Sequence, residues 1–295
     1  MNLMKDARIA AVVVTYNRLE LLQECIAALK YQIRPADEIV IINNGSTDGT
    51  ADWLASQNNI TVITQENAGS SGGQYTGVKY AVDKNFDWVW CMDDDTIPNA
   101  NALQAFVSSE YFISSTSFLC SAVLWKDDTF HKMNRPLLAA GGYEEIFHQD
   151  MKSSEIIYSS FVSVLINTKA VLAAGYPLKK MFIWFDDLEY TIRLRKYGPG
   201  YLIGNSVVYH KTEKNLGPDF LPRGRKLNSK EVLGIRNYLF IRKNIYPFAK
   251  TKSKHFYIYL KSVAGILKYG LVTKQFGKVL KATMQGIFMN KKQIV

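Results

Sequence analysis

The chain has 295 residues, of which 47% are hydrophobic and 21% charged, an ordinary globular composition that excludes a disordered chain or a collagen-like repeat. Three cysteines without CxxC spacing argue against a disulfide framework or a structural zinc site, and no signal peptide or transmembrane helix is expected. The net charge of +10 is uneven, since residues 1–210 carry 17 basic and 23 acidic residues whereas residues 211–295 carry 19 and 3. These features predict a soluble or peripheral protein of a reducing compartment.

The first 125 residues alternate between apolar runs and helical patterns, which is typical of strand–helix–strand units around a parallel sheet. After residue 118 the alternation loosens, and further buried strands and one helix are predicted. The chain is therefore predicted to form a mixed α/β domain. The predicted strands lie at 9–14, 38–42, 60–63, 88–92, 119–124, 156–166 and 201–209, with helices over 19–29, around Trp53, over about 71–83, after Asn99, and over 186–196.

A polar loop separates this body from a strongly basic carboxyl-terminal segment. Residues 211–228 contain Gly217-Pro218 and Pro222, which predicts a linker. Residues 229–295 interleave basic side chains with aromatic and aliphatic ones, a composition typical of amphipathic helices at a membrane surface. We therefore expect a basic helical region that contacts a membrane, although a solvated helix or a nucleic-acid-binding tail would carry the same charge.

Polar residues with short side chains follow the first three predicted strands, at the edge of the sheet where ligands bind in open parallel sheets. The glycine-rich loop after the third strand superficially resembles a dinucleotide-binding motif, but such a motif follows the first strand of its fold. Its glycines are interpreted as allowing close approach of a sugar-phosphate. The three segments are Thr15-Tyr16-Asn17-Arg18, the stretch from Asn43 to Thr50, and Asn67-Ala68-Gly69-Ser70-Ser71-Gly72-Gly73.

Three adjacent aspartates, Asp93, Asp94 and Asp95, follow the fourth predicted strand. Neighbouring carboxylates raise one another's pKa unless a cation neutralises them, and Mg²⁺ or Mn²⁺ binds carboxylate oxygens together with water and substrate phosphate. In an extended turn residues i and i+2 point the same way, so Asp93 and Asp95 are predicted to share one ion. A solvated acidic turn is the alternative interpretation.

Aromatic and acidic residues are also interleaved between Phe182 and Tyr190, a pattern that suits a carbohydrate. One of the adjacent acids, Asp186 or Asp187, can remove a proton from an acceptor hydroxyl, although both could simply cap a helix. His210 follows a predicted strand, where a lone histidine is usually structural. Beside a carboxylate-bound ion it becomes a candidate metal ligand.

Together these motifs resemble the family-2 inverting glycosyltransferases with the GT-A fold. The resemblance covers about residues 8–210, and the motifs, including the strand-ending aspartates of a DXD motif, occur in the family's order. Within the family, the Asn67–Gly73 loop and the Trp184–Glu189 segment are most similar to the galactofuranosyltransferase and rhamnosyltransferase branch. The resemblance implies a Rossmann-like mixed sheet flanked by helices, with a nucleotide-binding half at about 1–98 and an acceptor and sugar half at about 99–210.

The resemblance also implies roles for individual residues. Asp187 would be the general base, and Mn²⁺ or Mg²⁺ would bridge the donor diphosphate. The implied metal ligands are Asp93, Asp95 and His210, the implied nucleotide and donor contacts are Thr15, Tyr16, Asn17, Arg18, Asn44, Asp48, Asn67, Gly69, Gly72, Gly73 and Asp94, and the implied sugar and acceptor contacts are Trp184, Asp186 and Glu189.

The expected activity is inverting transfer of galactofuranose from UDP-galactofuranose to a growing lipid-linked cell-surface polysaccharide. The enzyme would be cytoplasmic and peripheral on the inner face of the cell membrane. A dTDP-rhamnose or pyranosyl donor is the alternative within this class. A nucleotidyltransferase or a basic nucleic-acid-binding protein is the alternative outside it, although nucleic acid is not an expected partner because the sheet edge is acidic.

Overall fold

The protein is built around a mixed ten-stranded sheet flanked by helices, and the computed structural model describes residues 6–139, 152–222, 224–244 and 252–290. The strands are β1 Ile9–Thr15, β2 Glu38–Asn43, β3 Thr61–Thr64, β4 Trp88–Asp93, β5 Thr96–Pro98, β6 Phe118–Leu124, β7 Leu137–Leu138, β8 Ser154–Tyr158, β9 Val164–Asn167 and β10 Gly200–His210. The helices are α1 Leu19–Lys30, α2 Thr50–Ala55, α3 Gly69–Asp83, α4 Ala102–Val107, α5 Thr168–Ala174, α6 Asp186–Leu194, α7 Ser229–Asn244, α8 Lys252–Val272 and α9 Phe276–Phe288.

The strand order is β3-β2-β1-β4-β9-β6-β10-β8-β7, and β5 pairs with β10. Strands β1 to β4 run parallel, β9 runs antiparallel between β4 and β6, and β10 is parallel to β6. All seven residues of β1 are buried, because helices or loops cover both faces of the central parallel strands. The predicted mixed α/β sheet with flanking helices is confirmed.

The prediction of a single strand over 156–166 is wrong. The structure divides this stretch into β8, which pairs with β10 and β7, and β9, which lies in the middle of the sheet. Between them, the Ser159 N–H donates to Thr191 Oγ1, and the Ser163 hydroxyl bonds to Ser121 and to the Trp90 indole. These side-chain hydrogen bonds replace strand pairing where the chain changes direction, and an apolar run does not reveal them.

Glycines on α3 allow this helix to lie directly on β1. A Cβ atom on Gly73 would lie 2.4 Å from Val14 Cγ1, and one on Gly77 would lie 2.1 Å from Val12 Cγ1. A Cβ on Gly72 would likewise meet the Cβ of Ala68 at 2.3 Å. The structure therefore explains Gly72 and Gly73 by close packing, where the sequence interpretation assigned them to approach of a sugar-phosphate.

The basic carboxyl-terminal region forms helices, as predicted, but α7 is part of the body. Its Phe240 and Ile241 pack with Met181 and Ile192 of the body, while its opposite side packs with α8 and α9 around Val279. Within the described ranges, no helix combines the length and the apolar character needed to cross a bilayer.

The contact between α3 and β1 leads to a stability prediction. Gly77→Ala should lower the free energy of unfolding by about 1–3 kcal/mol, because the added methyl overpacks a buried helix–sheet contact. Gly277→Ala on α9 is the matched control, since among the described residues nothing beyond its chain neighbours and its own helix backbone lies within 4 Å of its Cβ position, and alanine favours an exposed helix by up to about 1 kcal/mol. Urea denaturation measures both, and a Gly77→Ala protein as stable as the parent would contradict the packing role.

Candidate active site

The carboxyl ends of four central strands meet at one edge of the sheet. Thr15 ends β1, Asn43 ends β2, Asp93 ends β4 and His210 ends β10. Since these four strands run in the same direction, their terminal side chains and the loops that follow them converge. This edge holds most of the side chains that the sequence singled out.

Asp94 ties the end of β1 to the end of β4. Its Oδ2 accepts a hydrogen bond of 2.8 Å from Thr15 Oγ1 and a longer one of 3.4 Å from the Tyr16 N–H, and its Oδ1 lies 3.3 Å from Arg18 Nη1. Burial raises the pKa of Asp94 to about 6, although Arg18 and the Thr15 hydrogen bond favour the charged form. Asp94 thus fixes the loop after β1 beside the other two aspartates.

Asp95 lies between a guanidinium and an imidazole. Its Oδ2 is 2.5 Å from Arg18 Nη1, and its Oδ1 is 3.2 Å from His210 Nε2. Burial disfavours the charged form of Asp95, but His210 and Arg18 outweigh it and lower the pKa of Asp95 to about 2. Asp95 is therefore a carboxylate throughout the physiological pH range.

Asn134 determines which nitrogen of His210 faces Asp95. The Asn134 amide donates from Nδ2 to Ser160 Oγ, so its Oδ1 is left to accept from His210 Nδ1 at 2.8 Å. When His210 is neutral with its proton on Nδ1, the lone pair of Nε2 faces Asp95 Oδ1; when His210 is protonated, an Nε2–H faces that oxygen instead and favours the charged form of Asp95. That oxygen is buried and has no hydrogen-bond partner within the described ranges.

These two facing acceptors fit a divalent cation, which binds imidazole nitrogen and carboxylate oxygen together. Asp93 does not complete the set, and among the described residues no three His, Cys, Asp or Glu side chains are grouped to hold a metal ion. The expectation for Asp93 assumed an extended chain, whereas residues 94 and 95 form a turn before β5. The structure therefore brings together Asp95 and His210 of the three predicted ligands.

Asp93 instead shares its surroundings with the acids of α6. Burial, followed by the charges of Asp95 and Asp94, raises the pKa of Asp93 to about 8; Arg18 opposes this shift, and the charge of Asp187 adds a smaller part to it. The end of β4 thus lies close enough to the start of α6 for their carboxyl groups to interact.

The paired acids at the start of α6 have different environments. Asp186 is buried, and burial followed by the charge of Asp187 raises its pKa well above its usual range. Asp187 is partly exposed, and burial raises its pKa to about 6 although the N–H groups of Leu188 and Phe161 donate to it. Two neighbouring carboxyls with separated pKa values can take an acid role and a base role, and Asp187 is the one ionised near neutral pH.

The segment before these acids has a strained backbone. Phe182, Trp184 and Phe185 have φ angles of +66°, +70° and +65°, in the left-handed region that non-glycine residues seldom occupy. Each such residue costs about 1–3 kcal/mol and persists because its surroundings hold it in place. The indole Nε1 of Trp184 and the Oδ2 of Asp186 are buried and lack hydrogen-bond partners in the described part of the chain.

Glu189 has a structural ion pair where the resemblance implied a sugar contact. Its two carboxylate oxygens each accept at 2.9 Å from Arg193, one turn further along α6, and the Glu189 side chain is buried. Arg193 also donates to the carbonyls of Ala174 and Tyr176, so the pair anchors α6 to the segment after α5. With both oxygens engaged, Glu189 is not available to a ligand in this arrangement.

Several residues predicted to contact the nucleotide-sugar donor instead form hydrogen bonds within the loops after β1, β2 and β3, which we call the rim. Asp48 accepts from the Leu19 N–H and from the backbone and hydroxyl of Thr50, and so joins the starts of α1 and α2. Asn44 donates to the Gly69 carbonyl and accepts from Gln65, while Asn67 Oδ1 accepts from the Gly69 N–H. The Asn17 side chain accepts from Thr47 N–H, and the Tyr16 ring is 45% exposed at the rim.

The structure adds residues that sequence reasoning missed. Gln74 on α3 is fully buried and donates to the Met92 carbonyl beside Asp93, while its Oε1 has no partner within the ranges described. Asn134 orients His210, and the ring of His131 lies 4.5 Å from that of His210 between centroids. Gln74 follows the glycine pair on α3, which could have drawn attention to it. Asn134 ends a short 3₁₀ helix, Lys132–Asn134, for which the sequence has no signal.

Comparison with known proteins agrees with this geometry. The model of the family described as Glycosyl transferase family 2 matches residues 10–165. Galactofuranosyltransferase GlfT1 of Mycolicibacterium smegmatis is 26% identical over 200 residues, which cover 64% of this chain and 66% of that protein. Poly-beta-1,6-N-acetyl-D-glucosamine synthase of Staphylococcus aureus is 37% identical over 101 residues, 32% of this chain and 23% of that protein. The chain thus spans just under two thirds of the first relative and less than a quarter of the second.

The fold also has counterparts among solved structures. Mannosyltransferase PcManGT of Pyrobaculum calidifontis, solved in complex with GDP-Man and Mn²⁺, aligns with a TM-score of 0.54 and 12% sequence identity. The alignment covers 95% of this chain and 87% of that one. At this identity the likeness shows a shared fold.

Proposed function

The chain belongs to glycosyl transferase family 2, and on this premise we propose that it transfers galactofuranose from UDP-galactofuranose, with inversion, to a growing lipid-linked cell-surface polysaccharide. The observation that carries the proposal is the sheet edge on which the Asp95–His210 pair and the paired acids Asp186 and Asp187 converge. The similarity to a galactofuranosyltransferase over 200 residues supports the choice of sugar.

The donor would lie along the rim, next to the end of β4. The exposed ring of Tyr16 offers an aromatic face on which a nucleobase can stack, and Arg18 places a cation beside the aspartates. Asp95 and His210 would hold Mn²⁺ or Mg²⁺, which as a Lewis acid stabilises the negative charge of the leaving diphosphate. Among the residues that the structure describes, Asp93 is not grouped with Asp95 and His210.

The acids of α6 would act on the sugar and the acceptor. Asp187 accepts the proton of the acceptor hydroxyl as that oxygen forms a bond to the anomeric carbon, and the bond from that carbon to the diphosphate breaks on the opposite face. The nucleoside diphosphate leaves with the bonding electron pair, so one displacement inverts the anomeric centre. Asp186 Oδ2 and Trp184 Nε1, both buried without partners within the described ranges, would hydrogen-bond to sugar hydroxyls.

The lipid of the acceptor would lie in a membrane that the exposed surface of α8 and α9 contacts. One side of α9 packs on α7, while a second side exposes an apolar stripe at every fourth residue. Exposed lysines flank this stripe, and residues 232–295 contain no acidic residue, so its charge complements an anionic lipid surface. The exposed apolar side chains are Phe276, Leu280, Met284 and Phe288 on α9 and Phe256, Tyr257, Leu260, Leu271 and Val272 on α8.

Calorimetric titration of a donor panel tests the proposed sugar and ion. With Mn²⁺, UDP-galactofuranose should bind more tightly than UDP-galactopyranose, UDP-glucose, UDP-N-acetylglucosamine and dTDP-rhamnose. EDTA or Asp95→Asn should weaken binding by about tenfold or more, because the diphosphate loses a counter-charge. Asp127→Asn in the exposed turn after β6 is the matched control and should bind like the parent. Preference for another donor would reassign the sugar, and binding of none would overturn the proposal.

Replacement of the proposed base tests the chemistry. Asp187→Asn should reduce transfer by about 10²–10⁴-fold while leaving donor affinity nearly unchanged, because the amide cannot accept the proton. In the parent protein, kcat should rise with pH through about 6, since the base must be ionised and its pKa is raised to about 6. Asp83→Asn, at the exposed end of α3, removes one carboxylate far from the edge and should be neutral. An equal loss of donor affinity in Asp187→Asn would remove it from the base role.

Vesicle sedimentation tests the membrane surface. Leu280→Ser with Met284→Ser should reduce binding to vesicles that contain phosphatidylglycerol, because it removes apolar area from the exposed stripe of α9. Leu172→Ser replaces a leucine on α5 that is more exposed than either of these residues, and it should bind as the parent does. Binding that is unchanged in the double variant, or independent of the anionic lipid, would contradict this part of the proposal.

A further inference from the structure

A single side chain of α7 contacts most of the strained segment that precedes the paired acids. Asn237 is fully buried, and its Nδ2 lies 2.9 Å from the Met181 carbonyl, 2.9 Å from the Ile183 carbonyl and 3.0 Å from the Trp184 carbonyl. Those carbonyls belong to the stretch that contains Phe182, Trp184 and Phe185 with their positive φ angles. Asp186 and Asp187 follow immediately.

The orientation of the Asn237 amide is determined by its neighbours. The three carbonyls require the Nδ2 group of the Asn237 amide on their side, and Arg236 Nε donates at 2.9 Å to Asn237 Oδ1 on the other side. Arg236 also donates from Nη2 to the Lys180 carbonyl at 2.7 Å and to the Met181 carbonyl at 3.1 Å. Arg236 and Asn237 thus donate hydrogen bonds to four of the five backbone carbonyls from residue 180 to residue 184.

The other side of the segment is held by the start of α3. The Ser71 N–H donates to the Phe182 carbonyl at 3.2 Å, and the Ser71 hydroxyl donates to the Leu178 carbonyl at 2.8 Å. A Cβ on Gly69 would lie 2.1 Å from the Phe182 oxygen, so the two backbones approach as closely as glycine allows. An aromatic cluster of Phe185, Phe220 and Tyr238, with centroids 5.0–5.6 Å apart, closes the side next to α7.

We propose that Asn237, supported by Arg236, is a positioning residue that holds the strained 181–185 segment so that Asp186 and Asp187 face the sugar and the acceptor. The inference rests on the proposed glycosyl transfer and extends it to a helix outside the residues matched by the family model. Backbone strain relaxes when the groups that oppose it are removed, and the acids attached to the segment would move with it. Because hydrogen bonds from α7 hold this strained backbone, α7 would help to position the two acids.

Asn237→Asp is the sharpest test, because it keeps the shape and the acceptor for Arg236 while it places an oxygen against three carbonyls. The variant should lose about 10²-fold in kcat, the loss expected when reacting groups are misplaced by about 1 Å. Its affinity for UDP should stay within threefold of the parent's, because α7 is part of neither the rim nor the end of β4. Asn244→Asp is the matched control on the same helix, since the Asn244 amide bonds to the Phe240 carbonyl away from the segment.

The outcomes separate this inference from the proposed function. A parent protein without transfer activity would overturn the proposed function, whereas an active parent with wild-type kcat in Asn237→Asp would overturn the positioning role alone. An equal loss in kcat and UDP affinity would show general damage and would also overturn it. Should Asn237→Asp lose cooperative thermal unfolding, Arg236→Gln, which removes the Nη2 donor from a partly exposed side chain, should show the same fall in kcat with unchanged UDP affinity. An unchanged kcat in that variant would contradict the proposal.

Discussion

A cluster of buried carboxyl groups at one edge of the sheet constrains the rest of the structure. Asp93, which precedes Asp94 and Asp95 at the end of β4, interacts with the paired acids of α6, and burial raises the pKa of four of these five carboxyls. Asp95 alone has a lowered pKa, because Arg18 and His210 lie against it. An edge with so little compensating charge is poorly suited to a solvated structural turn and well suited to a cation and its anionic ligand.

The same edge depends on a strained backbone segment before α6 that its neighbours hold in place. Phe182, Trp184 and Phe185 occupy the left-handed region just before Asp186, and donors from α3 and α7 hold the carbonyls of that segment from two sides. Strain of this kind is maintained where the surrounding structure determines it, and it is concentrated at functional sites. The basic carboxyl-terminal region therefore has two different faces: one packs on the body through α7, and one is exposed on α8 and α9.

Glycine and ion-pair geometry show how far local patterns can be interpreted. The Asn67–Gly73 loop is interpreted from the sequence as allowing close approach of a sugar-phosphate, yet close contacts with the Phe182 carbonyl, Ala68 and Val14 account for its glycines. The family resemblance implied that Glu189 contacts the sugar, yet Glu189 forms an ion pair with Arg193, one helical turn away, and this pair anchors α6. The glycines are explained by close contacts in space with other parts of the chain, and Glu189 by an ion pair with the next helical turn.

The sequence by itself determined the mixed α/β fold and the polar strand ends that carry Asp95 and His210, because strand periodicity and parallel strand direction follow from local patterns. It assigned Asp186 and Asp187 to the same site through their aromatic and acidic pattern and the family resemblance. It could not determine that residues 94 and 95 turn, that the stretch 156–166 divides into β8 and β9, or that Asn134 orients His210. Nor could it show that Asn237 reaches back to the segment before the acids. These features depend on contacts between residues that lie between 32 and 79 positions apart in the chain, and only the tertiary structure brings such residues together.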